Sequence, residues 1–247
     1  MRSGGVVTAS LLLVALSVAP SPWLRSQPPT RDGSFRFAAG AVRVHIPRNA
    51  GTVGVVVLHS LGNSAAEPVA QGWSAAADRH GFVAIYPDRG TSWNAGICCG
   101  TASEASRDDV SWLTQVIALA RVKYHLTSIL LAGFSNGGMM IERLITEVPS
   151  VSSRFAVWGS APEMPQSGDW PGQGAIFEGN DDIVVPPDGG TVTFDGATEV
   201  IRPASSTSDW IRGAELHLHV IPGFGHAPPP NWPEMAWDAL LQDRSPR

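Results

Sequence analysis

The chain has 247 residues, of which 43% are hydrophobic and 16% are charged, and its formal net charge is −5. This balance is typical of a globular protein with a sizeable core and is the reverse of the composition of a disordered chain. The small negative charge, without any run rich in Lys or Arg, excludes nucleic acid as an expected partner.

The first 19 residues have the pattern of a signal peptide. Arg2 gives a positive start, and residues 6–18 form an apolar stretch. This stretch has the length of a signal-peptide core and is shorter than the roughly 20 residues that a membrane span needs. We therefore expect residues 1–19 to direct export, with an uncleaved anchor as the alternative. Residues 20–33 are rich in Pro, Ser and Arg and are predicted to form a flexible segment. The sequence thus predicts a secreted protein without stable membrane insertion.

Strand and helix patterns alternate through residues 34–247, and no repeat or long linker divides this region. We predict a strand pair at 35–47, strands at 53–60, 82–87, 154–160, 174–178 and 215–221 and one ending at Phe134, with helices at 65–79, 110–120, 135–148 and about 232–242. This alternation predicts one α/β domain with a mostly parallel sheet and helices on both faces. In such sheets, ligands bind beyond the carboxyl ends of the strands.

The segment Gly133-Phe134-Ser135-Asn136-Gly137 lies between a predicted strand and a predicted helix. It matches G-x-S-x-G, in which a serine nucleophile occupies a sharp strand-to-helix corner. Glycines are needed on both sides because side chains there would clash with the packed strand and helix. The start of the helix also directs amide groups towards an anion that forms at the serine. The alternative is an ordinary turn.

A serine nucleophile needs a base, and the base needs an acid that orients it. In this motif class the acid and then the histidine follow the serine along the chain. Asp182 in the stretch GNDDIVVP is the predicted acid, with Asp181 as its rival. His226 lies on a Gly-rich turn just after a predicted strand and is the predicted base. His217 and His219 alternate within that strand and are predicted to be structural.

The reaction of such a serine also needs hydrogen-bond donors for an oxyanion. The backbone N–H of Asn136, next to the nucleophile, is one predicted donor. The loop after the strand at 53–60 should supply the other, for which we favour the amide of Leu61. In that loop His59 is predicted to shape the backbone rather than to act as a second base.

The two cysteines, Cys98 and Cys99, are adjacent. A metal site needs more ligands at wider spacing, so no metal is expected. A disulfide between neighbours would join Cα atoms about 3.8 Å apart, closer than the roughly 4.4–6.8 Å that disulfides prefer. From the residues alone, two thiols and a vicinal disulfide both stay open.

Four stretches together resemble a known family, namely SWNAGICCG (92–100), RDDVSWL (107–113), LLAGFSNGGMM (130–140) and GNDDIVVP (179–186). They are similar to secreted α/β-hydrolases of the polyhydroxybutyrate depolymerase and feruloyl esterase type, a group that includes acetyl-xylan-type carbohydrate esterases. The match covers roughly residues 35–242. The resemblance implies the α/β-hydrolase fold and a serine carboxylesterase without a cofactor. It assigns Ser135 as nucleophile, Asp182 as acid and His226 as base.

The chain departs from this family at several positions. His59-Ser60 stands where the family usually has His-Gly, and Glu178 stands where a histidine often precedes Gly179. The segment between Trp158 and Gly174 is too short for a long lid. We therefore expect a shallow, open site that suits a polymer end or a bulky acyl ester.

Tryptophans in predicted loops are candidate substrate contacts, because an exposed indole can stack on a sugar or an aromatic ring. We assign this role to Trp93, its neighbour Asn94 and Trp232, and consider it for Trp170; partial burial is the alternative. The acyl group and the alcohol stay open among polyhydroxybutyrate-type, feruloyl and acetyl esters. A serine peptidase on the same fold and a non-catalytic polysaccharide-binding protein are the rival hypotheses. The sequence gives no indication of oligomeric state.

Overall fold

A computed structural model of the chain describes residues 31–161, 168–194 and 197–241. The predicted signal peptide lies outside these residues, as does most of the predicted flexible segment. The first strand begins at Arg31, so residues 31–33 belong to the sheet and the boundary predicted at residue 34 is too late. Within the described residues, no helix combines the length and the apolar character needed to cross a membrane.

The strands of the described chain are β1 (Arg31–Phe37), β2 (Gly40–Ile46), β3 (Val53–Leu58), β4 (Val83–Asp88), β5 (Ser128–Phe134), β6 (Arg154–Trp158), β7 (Gly168–Asp169), β8 (Gln173–Gly179), β9 (Gly190–Phe194), β10 (Ala197–Ile201), β11 (Ile211–Arg212) and β12 (Glu215–Ile221). Eight of them form one sheet in the order β1-β2-β4-β3-β5-β6-β8-β12. Strand β2 runs antiparallel to both β1 and β4, and the other neighbours are parallel. Strands β9 and β10 form a separate antiparallel pair, and β7 pairs with β11.

The helices are α1 (Ala66–Ala70), α2 (Trp73–His80), α3 (Gly100–Glu104), α4 (Asp109–Lys123), α5 (Asn136–Glu147), α6 (Thr207–Trp210) and α7 (Trp232–Leu241). Successive residues of a strand point to opposite faces of a sheet. Accordingly, Val56 and Leu58 of β3 pack with the apolar residues of α4 and α5. Val55 and Val57 pack on the other face, with α2 and α7. The predicted mostly parallel sheet with helices on both faces is therefore confirmed.

The sequence patterns were wrong in some details. The single helix predicted at 65–79 is two helices, because Gly72 between α1 and α2 adopts a left-handed conformation with φ 95°. The β9–β10 hairpin and the short elements α3, α6, β7 and β11 were not predicted. Short elements of this kind carry too few residues for a hydrophobic period to stand out.

A buried histidine ties the edge of the sheet to a helix. His45 of β2 lies 2.7 Å from Asp32 of β1 through Nδ1 and 3.0 Å from Asp78 of α2 through Nε2. Burial lowers the pKa of His45, but the hydrogen bonds to the two carboxylates outweigh it, so that the pKa is raised overall. The protonated ring donates to both carboxylates at once, which stabilises the charged form.

We expect Asp78→Asn to destabilise the protein more in mildly acidic than in alkaline solution. A pKa that is raised in the folded state adds stability below the unfolded pKa, and this stability is lost as the pH rises through the folded pKa. Urea unfolding of both proteins at about pH 5.5 and about pH 9 measures the difference. Asp169→Asn, at an exposed carboxylate paired with Arg212, is the control. An effect of Asp78→Asn that is equal at both pH values would contradict a charged His45.

A second buried ionisable group lies at the end of β8. Glu178 is fully buried, and its Oε1 accepts the N–H of Ser160 at 3.1 Å. Its Oε2 has no hydrogen-bond partner among the described residues. Burial raises the pKa of Glu178 well above its ordinary value, and the nearby carboxylates of Asp182 and Glu142 raise it further. The side chain is therefore held as the neutral acid.

Because the folded protein retains a proton on Glu178 that the unfolded chain releases, stability should fall as the pH rises above the unfolded pKa of about 4.3. Glu178→Gln replaces the neutral acid by an amide of similar shape that still accepts from Ser160. We expect this variant to be less sensitive to alkaline pH than the parent, and to gain stability relative to it between about pH 5 and about pH 8. Urea midpoints at the two pH values test this. A change of equal size at both pH values would contradict a proton held on Glu178 in the folded protein.

Candidate active site

Ser135 occupies the sharp corner between β5 and α5. Its φ of 53° and ψ of −125° lie in a region that residues with a side chain rarely adopt. A Cβ at Gly133 would lie 2.7 Å from the backbone of Gly137, and a Cβ at Gly137 would lie 2.5 Å from the carbonyl oxygens of Leu58 and His59. Only glycine allows this approach, so the motif is required by packing.

The strained corner is held by hydrogen bonds on both sides. The N–H of Ser135 donates to the carbonyl oxygen of Trp158 on β6 at 2.8 Å, and its own carbonyl accepts the N–H of Met139 at 3.0 Å. Such a conformation costs free energy and persists only where the surrounding structure fixes it. The backbone therefore presents the hydroxyl at the carboxyl edge of the sheet.

The structure brings the three predicted site residues together. His226 Nε2 lies 2.9 Å from the Oγ of Ser135, and His226 Nδ1 lies 2.8 Å from the Oδ2 of Asp182. The other carboxylate oxygen of Asp182 accepts the backbone N–H groups of Val184 and Val185, at 2.8 and 2.9 Å. The acid is thus buried and oriented, with one oxygen left for the imidazole.

The loop of His226 is fixed against the ends of β6 and β8. The indole of Trp158 donates to the carbonyl oxygen of His226 at 2.9 Å. Gly179 lies so close to the backbone of Phe224 and Gly225 that a Cβ would overlap their carbonyl oxygens. Asp181, the rival acid, is exposed, and its N–H donates to the carbonyl oxygen of Phe224. Asp181 therefore stabilises the turn through its backbone, and the carboxylate that is hydrogen-bonded to His226 is that of Asp182.

The two predicted oxyanion donors lie beside the serine. Asn136 occupies the first position of α5, where a backbone N–H has no acceptor within its own helix. Leu61 lines the pocket next to Ser135, and its N–H has no acceptor among the described residues. In contrast, the neighbouring N–H groups already have acceptors. The N–H of Ser60 donates to the carboxylate of Glu67, and the N–H of Gly62 donates to the carbonyl oxygen of Thr91. The hydrogen-bond pattern thus leaves these amides available.

His59 is a buried structural residue, as predicted. Its Nδ1 donates to the carbonyl oxygen of Ser60 at 2.8 Å, and its ring packs on Trp93. Burial lowers the pKa of His59, so the ring is held in the neutral form. Because it does not line the pocket, it cannot replace His226 as a base.

A pocket of about 210 Å³ opens in front of Ser135 and His226. Its other walls are mostly apolar and come from Met139, Val184, Val185, Val192, Ile201, Phe134, Leu61 and the Cys98–Cys99 pair, with Ser60, Asn63 and Glu67 at the polar side. Val192 and Ile201 belong to the β9–β10 hairpin. The prediction of a shallow, open site did not include this hairpin, which supplies one wall of the pocket.

The hairpin could have been found from its sequence, in which Asp195-Gly196, a typical two-residue turn, follows the alternating stretch Thr191-Val192-Thr193-Phe194. No comparable signal marks Val184, Val185 and Met139 as pocket residues. Cys98 and Cys99 are joined by a disulfide, which settles the alternative that the residues alone left open. Among residues 31–161, 168–194 and 197–241, no three His, Cys, Asp or Glu side chains form a group that could hold a metal ion.

The three predicted substrate contacts are corrected by the structure. Trp93 and Trp232 are fully buried, and neither lines the pocket. The indole N–H of Trp93 donates to the carbonyl oxygen of His59. Asn94 is also buried, and its side chain donates to Arg107. Trp170 is likewise buried, and its indole N–H donates to the carbonyl oxygen of Ser152. All four build the scaffold.

Comparison with known proteins agrees with this architecture. No family model matches the chain. Over 86 residues, or 34% of its length, the chain is 30% identical to the bifunctional acetylxylan esterase/xylanase XynS20E of Neocallimastix patriciarum. The matched region spans only 12% of that protein's length.

Solved structures extend the similarity to most of the chain. A carboxylesterase from Mesorhizobium loti superimposes with a TM-score of 0.60 at 16% identity, over 80% of this chain and 92% of its own. Acetyl xylan esterase from Aspergillus awamori gives a TM-score of 0.53 at 14% identity, over 80% and 94% of the two chains. At such identities the similarity shows the fold alone. The chain therefore has the α/β-hydrolase fold.

Proposed function

We propose that the protein is a serine carboxylic ester hydrolase. One observation carries the proposal, namely the unbroken hydrogen-bonded series from Asp182 through His226 to the hydroxyl of Ser135. A binding protein has no use for a buried acid that orients an imidazole on a strained serine. The resemblance of the sequence motifs and the esterase names of the structural relatives support the same reaction class.

The geometry gives each group a role. Ser135 Oγ attacks the ester carbonyl while His226 Nε2 takes its proton. Asp182 accepts the Nδ1–H of His226, which fixes the tautomer and stabilises the imidazolium that forms. The N–H groups of Asn136 and Leu61 bind the oxyanion. His226 then protonates the leaving alcohol, and water repeats the sequence on the acyl-enzyme.

The pocket supports an ester with a sizeable apolar acyl group. An apolar cavity of about 150 Å³ holds a benzene molecule. The pocket beside Ser135 measures about 210 Å³ and therefore has room for one aromatic ring with a short linker, or for a short aliphatic chain. The size of the pocket therefore favours hydroxybutyrate-type and feruloyl-type esters over acetyl esters.

We also propose that the protein acts outside the cytoplasm. Residues 1–19 have the pattern of a signal peptide. The Cys98–Cys99 disulfide supports the same assignment, since disulfides persist in oxidising compartments and are rare in the cytosol. Mass spectrometry of the mature protein from the culture medium would show whether the N-terminal residues have been removed.

Ser135→Ala should abolish ester hydrolysis while leaving the fold intact. Loss of the nucleophile of such a triad lowers kcat by roughly 10⁴- to 10⁶-fold. The assay uses p-nitrophenyl acetate and butyrate, oligomeric 3-hydroxybutyrate, methyl ferulate and acetylated xylan, with a peptide anilide for the peptidase alternative. Circular dichroism checks the fold. Equal ester hydrolysis by both proteins, or no reaction of the parent with any ester or a fluorophosphonate, would contradict the proposal.

Val192→Phe should narrow the range of acyl groups. The side chain of Val192 forms a wall of the pocket, so that a larger one there fills the space needed beyond the carbonyl. We expect kcat/KM for methyl ferulate to fall roughly 10- to 100-fold, while that for p-nitrophenyl acetate changes by no more than about threefold.

The matched control is Val200→Phe on the partner strand of the hairpin. Val200 is 74% exposed and does not line the pocket, so the ratio of the two rates should stay unchanged. If Val192→Phe lowered both rates equally, or left both unchanged, the acyl group would not occupy this pocket.

A further inference from the structure

One loop contacts both residues whose amides form the proposed oxyanion hole. Leu61 lies in the loop after β3, and Asn136 begins α5. The loop at 91–100 runs past both of them. At its start, the carbonyl oxygen of Thr91 accepts the N–H of Gly62 at 2.7 Å, which holds the residue next to Leu61.

The same loop also forms hydrogen bonds with the buried side chain of Asn136. The Oδ1 of Asn136 accepts the N–H of Trp93 at 2.7 Å, and its Nδ2 donates to the carbonyl oxygen of Trp93 at 2.9 Å. The Nδ2 also donates to the Sγ of Cys99 at 3.6 Å. Asn136 is fully buried, so these partners fix both its side chain and the direction of its backbone N–H.

The end of the loop packs on the other donor. A Cβ at Gly100 would lie 2.9 Å from the Cδ1 of Leu61, so the glycine backbone lies directly against this side chain. Gly100 has a φ of 65°, and the two cysteines precede it. Both Cys98 and Cys99 line the pocket that contains Leu61 and Ser135. The disulfide thus lies between the contacts to the two donors.

We propose that the Cys98–Cys99 disulfide is a positioning element that holds the amides of Leu61 and Asn136 where the oxyanion forms. The inference rests on the proposed function and adds to it a role for the cysteine pair in the catalytic step. Neither sulfur reacts with the ester. The pair acts through the residues on either side of it.

The physical reason is the space that the sulfur atoms occupy. Bonded sulfurs lie about 2.0 Å apart, and two thiols cannot approach as closely. Reduction by a phosphine in water breaks the S–S bond, adds two electrons and two protons, and gives two thiols and the phosphine oxide. At least one sulfur must then move, and the neighbours that it displaces are Asn136 and the chain that packs on Leu61.

The experiment compares the oxidised enzyme with the enzyme after mild treatment with tris(2-carboxyethyl)phosphine. The chain contains only these two cysteines, so that any effect of the reductant on a disulfide belongs to this pair. Alkylation and mass spectrometry count the thiols, and circular dichroism checks the fold. We expect kcat for p-nitrophenyl acetate to fall roughly 10- to 100-fold, as for a displaced or lost oxyanion donor, with KM changed by no more than about threefold. Reoxidation should restore the rate.

A transition-state analogue separates this role from a merely structural one. A trifluoromethyl ketone adds to Ser135 and forms an oxyanion that the same two amides bind. Its inhibition constant should rise by the same factor by which kcat/KM falls, because the analogue and the transition state use the same donors. The inhibition constant of the product alcohol, which carries no oxyanion, should not change. Cys98→Ser/Cys99→Ser should behave as the reduced enzyme and should not respond to the phosphine.

A pair of glycine variants tests the contact without changing the sulfurs. Gly100→Ala forces the side chain of Leu61 to move and should lower kcat while the disulfide stays formed. Gly72→Ala is the matched control, since Gly72 also has a positive φ, of 95°, but a Cβ there meets nothing within 4 Å. It should carry backbone strain without an effect on kcat.

The outcomes separate this inference from the proposed function. If the oxidised parent hydrolyses no ester, the proposed function fails. If it is active and the reduced enzyme retains the same kcat and the same affinity for the ketone, the hydrolase stands and the positioning role is overturned. Alkylation of two thiols in the untreated secreted protein would also overturn it.

Discussion

The close approach of helix α5 to strands β3 and β5 is the constraint on which the site depends. Gly133 and Gly137 contact backbone at distances that no side chain would tolerate. This approach forces Ser135 into its left-handed conformation, so that its hydroxyl projects from the corner rather than into the helix. It also directs the first amides of α5 towards the same point. The positions of the proposed nucleophile and of one proposed oxyanion donor therefore follow from one packing requirement.

The sequence predicted those parts of the molecule that carry a local signal. The corner at Ser135, the chain order of the acid and the base, and the alternation of strands and helices are all expressed in neighbouring residues. Burial of a particular tryptophan is not. Trp93 lies in a segment without a regular pattern, and Trp232 lies at a helix start. Their burial depends on residues from distant parts of the chain that pack over them. The hairpin of β9 and β10 does have a local signal in Asp195-Gly196, but the contact of Val192 and Ile201 with the pocket depends on distant packing.

Three of the buried acids, Asp109, Asp182 and Glu178, have three different environments. Asp109 is paired with Arg107 at 2.8 Å and Arg89 at 3.1 Å, and holds the start of α4 to the loop that contains Asn94. Asp182 accepts two backbone N–H groups and faces His226. Glu178 has no cationic partner among the described residues, and burial raises its pKa well above the ordinary value. Of these three, Glu178 is the one for which burial dominates, and burial favours the protonated carboxyl.

The loop of His226 follows β12, which pairs with β8 at the edge of the sheet. This strand is poorly covered, with Leu218 and Val220 39% and 45% exposed. Edge elements with few buried contacts open at a lower free energy than the centre of a sheet. Detachment of β12 would carry the imidazole away while the strands around Ser135 remain assembled. The proposed hydrolase would therefore lose its proposed base before it loses its core, and inactivation by heat or denaturant would precede the cooperative unfolding transition.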